Sequence, residues 1–142
     1  MNNTDSNVHI FEAGIYAIGD PCYFISNDVW DDLIEETGCF GLDDPSVNKK
    51  MTNWDNGAYQ YKGKKCFSFG TRYGDGAYPL SMNGKTLAIL GVDAGMIGIM
   101  PVKCVDLFPK SGVFYHTFDA PFEVYCTQDG AFTFGNIRVE TC

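Results

Sequence analysis

From Ala58 onward the chain is a succession of short runs rich in Tyr, Phe, Val and Ile: "AYQYKG", "KCFSFGTRY", "TLAILGVD", "MIGIMPV", "GVFYHTF", "FEVYCT", "AFTFG" and "NIRVET". β-branched and aromatic side chains suit a pleated strand, and the Gly, Pro, Asn and Asp residues between the runs end one strand and turn the chain into the next. Asn83-Gly84 predicts a two-residue type I′ hairpin, and Asp129-Gly130 predicts another. Such a chain is expected to be mainly β, an antiparallel β-sandwich or a partly closed barrel. Upstream, "VHIFEAGIYAIG" has the same character but is broken at Gly14, which predicts a bent strand or two short ones.

The period changes once. In "SNDVWDDLIEETG", Val29, Trp30, Leu33 and Ile34 fall at helical spacing, Ser26 or Asn27 can cap, and Gly38 can stop the run. One α-helix packed on the sheets is therefore expected. Residues 40–57 show no stable period and many turn formers, which predicts a long surface loop, and residues 1–8 read as a flexible polar arm. The length of 142 residues and the 45% hydrophobic content suit a single domain spanning 1–142 with one substantial core.

Charge divides the chain. Ser26 to Asp55 holds eight acids (Asp28, Asp31, Asp32, Glu35, Glu36, Asp43, Asp44, Asp55) against Lys49 and Lys50, a sum of -6. Asn56 to Lys110 holds seven bases (Lys62, Lys64, Lys65, Arg72, Lys85, Lys103, Lys110) against Asp75, Asp93 and Asp106, a sum of +4. The net charge of -8 opposes non-specific binding to nucleic acid or anionic membranes, while the basic middle leaves room for a local anion site. No apolar run reaches membrane-spanning length, and "MNNTDSNV" has no signal-peptide character, so a cytoplasmic protein is expected. The six cysteines, Cys22, Cys39, Cys66, Cys104, Cys126 and Cys142, show no C-x-x-C pair and no zinc-like spacing. Reduced thiols serving as small core residues are the expectation.

Motifs of catalysis are scarce. "MNGKT" ends like a phosphate-binding loop, but the glycine required five residues before Gly84 is Pro79, and the stretch leads into a strand. "YGDGAY" is too short for a dinucleotide fingerprint and reads as a tight turn. Nucleophilic chemistry needs a base, and only His9 and His116 are present; His116 lies in a strand pattern where a structural role is the commoner outcome. Asp20, Asp75 and Asp93 sit among glycines at strand ends. Converging, they would hold Mg²⁺ or Ca²⁺; separately, each serves as a backbone acceptor in a turn.

"GIYAIGDPCYFI", "GTRYGDGAYPL", "VDAGMIGIMPV" and "DGAFTFGNIRVET" together resemble an uncharacterised family of small phage and bacterial proteins. The resemblance implies a phage-type or bacterial cytoplasmic protein and transfers no catalytic residue. With few histidines and many aromatics, the expected function is non-enzymatic: capture of a small anionic, nucleotide-like ligand or of a host protein, as a counter-defence accessory would do. Arg72 and Lys65 would meet phosphate, and Tyr73, Tyr78 or Trp54 would stack a base. The alternatives are a metal-dependent phosphodiester hydrolase using Asp20, Asp75 and Asp93, and an acidic interaction module or nucleic-acid mimic built on Ser26 to Asp55. A homodimer is expected from the many aromatics, with "NIRVETC" as the candidate edge strand.

Overall fold

A computed structural model describes residues 8–23, 25, 58–71, 75–92, 96–105, 112–127 and 131–140. Among these residues, eleven strands form two antiparallel sheets. They are β1 (His9–Phe11), β2 (Gly14–Gly19), β3 (Ala58–Tyr61), β4 (Lys64–Gly70), β5 (Gly76–Met82), β6 (Lys85–Val92), β7 (Met96–Pro101), β8 (Val113–Phe118), β9 (Phe122–Cys126), β10 (Phe132–Phe134) and β11 (Ile137–Val139). The larger sheet runs β1-β9-β10-β11-β5-β6 and the smaller β3-β4-β7-β2-β8. Neither order closes on itself, so of the two architectures expected the described residues form the sandwich and not the barrel. The break foreseen at Gly14 separates two strands, and between them the chain passes from one sheet to the other.

The facing sides of the sheets bury one continuous cluster. Along β9, Phe122, Val124 and Cys126 point inward while Glu123 and Tyr125 point away, the period-two signature of a strand wet on one side. Tyr16, Ile18, Phe67, Ile97 and Ile99 supply the opposite wall. The smaller sheet also buries its other face: Ala17, Cys66 and Met100 join Ile25, Tyr61, Cys104 and Val105 in a second cluster. This explains the unbroken apolar run of "MIGIM", every residue of which is buried, because β7 lies inside a sheet covered on both sides. Gly98 is required there. A Cβ at that position would press on the Phe67 carbonyl and come within 2.6 Å of Ser68 Oγ on β4.

The hairpin turns follow backbone chemistry. Asn83 (φ 53°) and Gly84 (φ 82°) form the expected type I′ turn between β5 and β6, and Lys62 (φ 53°) and Gly63 (φ 74°) make a second one, between β3 and β4, that composition did not signal. Asp129-Gly130, the other turn expected from the sequence, lies outside the described residues; before and after it, Phe132 pairs with Cys126 and the Thr127 amide donates to the Ala131 carbonyl at 2.8 Å.

One expectation changes. β11 lies between β10 and β5, so "NIRVETC" contributes an interior strand and not an edge. The α-helix expected from Val29, Trp30, Leu33 and Ile34, the loop 40–57 and the arm before Val8 lie outside the described residues. Among those residues the only helical elements are two 3₁₀ turns, η1 (Pro21–Tyr23) and η2 (Val102–Cys104). Cys66, Cys104 and Cys126 are buried and, with the half-buried Cys22, are present as thiols.

Candidate functional site

At one end of the sandwich, pairing lines up side chains from successive strands. Gln60 lies opposite Lys65, and Tyr16 lies between Pro101 of β7 and His116 of β8. Tyr16 is almost fully buried. Its ring meets Phe118 and Phe122 edge-on, and its hydroxyl donates to the Glu12 carbonyl at 2.9 Å. Burial, reinforced by the neighbouring charge of Glu12, raises the Tyr16 phenol above its ordinary range, so the group stays neutral and serves as a floor.

Two cavities meet over that floor. One, of about 240 Å³, is bordered by Glu12, Ile15, Lys64 and Lys103; the other, of about 350 Å³, by Ile10, Glu12, Gln60, Lys64 and Lys65. Glu12, Tyr16, Lys64 and Pro101 line both, so the cavities form one two-lobed groove. Its cations arrive by distinct routes. Lys64 and Lys65 open β4 immediately after the Lys62-Gly63 turn, and Lys103 is returned by η2 directly after β7. Lys64 and Lys103 are exposed, and neither forms an ion pair among the described residues. Lys65 is partly committed: its ammonium donates to the Ile10 carbonyl at 2.7 Å and lies 5.1 Å from the centre of the Phe11 ring. Ile10 and Ile15 stand exposed beside these cations, giving the groove an apolar border.

Of the residues expected to bind an anion, Lys65 lines this groove. Tyr78 is in β5 of the other sheet, half-buried against the main core, and lines neither of these two cavities. Arg72, Tyr73 and Trp54 lie outside the described residues. Lys64, Lys103 and Glu12 were not singled out from the sequence. The visible signal was the basic surplus between Asn56 and Lys110; which lysines converge is set by strand pairing.

Two of the three aspartates lie within the described residues. Asp20 is fully buried, its Oδ1 accepting the Cys22 amide at 3.0 Å while its carbonyl accepts the Tyr23 amide at 3.0 Å. This is the turn role. Asp75 is exposed just before β5, and Asp93 lies outside the described residues, among which no group of three His, Cys, Asp or Glu is arranged to hold a metal ion. His116 packs its ring against Phe114 and Phe118, as a structural histidine would. A wider, shallow depression of about 560 Å³ beside it carries Asp119 and Glu123 but no Lys or Arg, which makes it a poor seat for an anion. In comparisons with protein-family models, curated proteins and solved structures, nothing matches the chain.

Proposed function

We propose that this is a non-enzymatic binding protein that captures a small anionic ligand in the lysine groove. One observation carries the reading: in a chain of net charge -8, Lys64, Lys65 and Lys103 border one groove over the buried Tyr16. Concentrating cations in a concave site raises the local anion concentration even when the whole molecule is acidic. The volumes suit a ligand the size of a sugar phosphate or mononucleotide. No step of catalysis is required of any residue there. A phage-type setting, in which such capture would serve against a host defence, belongs to the same proposal and rests on the sequence motifs. So does a homodimer, whose seat is not β11.

The test is a thermal-shift series on the full chain with phosphate-bearing compounds at millimolar concentration. The expected result is a rise in Tm that grows with concentration and disappears in Lys64→Ala. No shift with any phosphate compound would overturn the reading.

A further inference from the structure

Lys103 borders one lobe of the groove, Lys65 borders the other, and Lys64 and Glu12 are shared by both. We infer that it takes two phosphate groups held apart by a hydroxyl-bearing spacer, a bisphosphorylated sugar or nucleoside, with Glu12 receiving a hydrogen bond from the spacer. This deepens the reading above and rests on it.

Three features lead there. First, Lys64 belongs to both lobes while Lys103 borders only one and Lys65 only the other, so the positive charge is spread along the groove instead of gathered at a point. A ligand with one compact anion would engage one lobe. Second, every cation at the groove is a lysine. Lysine's point charge with three rotatable donors can meet the several oxygens of a phosphate without a fixed fork geometry. Third, the exposed Glu12 borders both lobes. A compact polyanion centred there would face its negative charge, while a ribose or hexose hydroxyl would donate to it. A carboxylate so placed acts as an element of specificity, admitting a spacer with donors and opposing pyrophosphate-like density.

Calorimetry on the full chain separates the possibilities, using fructose 1,6-bisphosphate, adenosine 3′,5′-bisphosphate, fructose 6-phosphate, adenosine 5′-monophosphate and inorganic pyrophosphate. At least one bisphosphate is expected to bind about tenfold tighter than its monophosphate and tighter than pyrophosphate. The preferred bisphosphate then tells sugar from nucleoside, and either supports the inference. Glu12→Gln keeps an acceptor oxygen and removes the charge, so it should improve pyrophosphate binding several-fold more than bisphosphate binding. Monophosphates binding as tightly as bisphosphates, with Lys64→Ala abolishing both, would overturn the two-anchor inference and leave the lysine groove standing. Equal gains for every ligand in Glu12→Gln would overturn the role of Glu12. Absence of binding by all five compounds would overturn both the inference and the groove.

Discussion

Lys65 of the smaller sheet donates its ammonium to the main-chain carbonyl of Ile10 in the larger one, at 2.7 Å, and spans the end of the sandwich in doing so. Its stem and charge lie over Phe11. β1 is a three-residue edge strand, and a lysine held against its carbonyl also covers part of a backbone edge that another chain could otherwise pair with. Lys65→Met keeps the apolar stem and loses the bond. A loss of about 1 kcal/mol in denaturant unfolding is expected, smaller in Lys65→Arg. Stability equal to the parent in Lys65→Met would show that the bond contributes nothing.

Gly98 sets a steeper constraint. A methyl group there meets the Phe67 carbonyl and both Oγ and Cα of Ser68, the last at 3.2 Å, so β4 and β7 would have to move apart. Gly98→Ala is expected to cost on the order of 3 kcal/mol, more than the usual overpacking by one methyl, because backbone and not a flexible side chain must yield. The double variant Gly98→Ala, Ser68→Gly should recover only part of that loss. An unchanged Tm in the single variant would contradict the close approach of the two strands.

Asp20 is expected to behave as a fold determinant. Replacement by Ala removes the acceptor of the half-buried Cys22 amide, at about 1–3 kcal/mol, while Asp20→Asn keeps an acceptor oxygen and should lose less. Both variants should bind phosphate compounds as the parent does. Parent-like melting of Asp20→Asn with complete loss of binding would move the carboxylate from the turn to a functional site.

The thiols should differ in reactivity. Burial raises the Cys126 thiol far above its ordinary range, and Cys66 and Cys104 are fully buried, whereas Cys22 is half-exposed. Mass-mapped alkylation at pH 8 under native conditions should label Cys22 well before these three, and denaturant should erase the order. Early labelling of Cys126 would indicate that the end of β9 opens readily.

Alkaline stability reports on Tyr16. Its folded pKa is raised above the 10.0 of an exposed tyrosine, so its contribution is fully present below pH 10 and falls as pH rises toward the folded value, where the unfolded chain ionises first. Tyr16→Phe loses the bond to the Glu12 carbonyl, about 1 kcal/mol, but has no phenol to ionise. Urea unfolding from pH 8 to 11 should show the parent's advantage shrinking above pH 10. A constant gap across that range would mean that the phenol is not protected.

The strands β3, β4 and β6 to β11 were legible because β-branched and aromatic runs and turn residues report on local backbone preference, which neighbours in sequence determine; β5 was not, since its glycine made "YGDGAY" read as a tight turn, whereas Gly76 to Tyr78 pair with β6. Asn83-Gly84 was readable for the same reason: both residue types tolerate positive φ. Lys62-Gly63 was not, since lysine rarely adopts φ 53° and nothing marks it as a turn former. The interior position of β11 was equally hidden. "IRV" is short enough to suit an edge, and its partner β5 is distant in sequence. Convergence of Lys64 and Lys103 depends on Phe67 of β4 lying opposite Ile99 of β7, a relation of register between remote segments that no local pattern encodes. Lys65 could be picked out as a candidate cation, but its bond to Ile10 could not.

The pairing of β1 with β9 joins the first described strand to one near the chain's other end, and β2 is likewise completed by β8. The Lys62-Gly63, Asn83-Gly84 and Gly135-Asn136 hairpins bridge neighbours in sequence and are accessible early, whereas those two long closures carry the greater entropic cost. On a ribosome, β1 and β2 therefore emerge long before their partners, with Phe11 and Ile18 uncovered while they wait. Slowing elongation late in the message should then prolong exposure of these two strands, and nascent chains halted before β8 would be the species that chaperones engage.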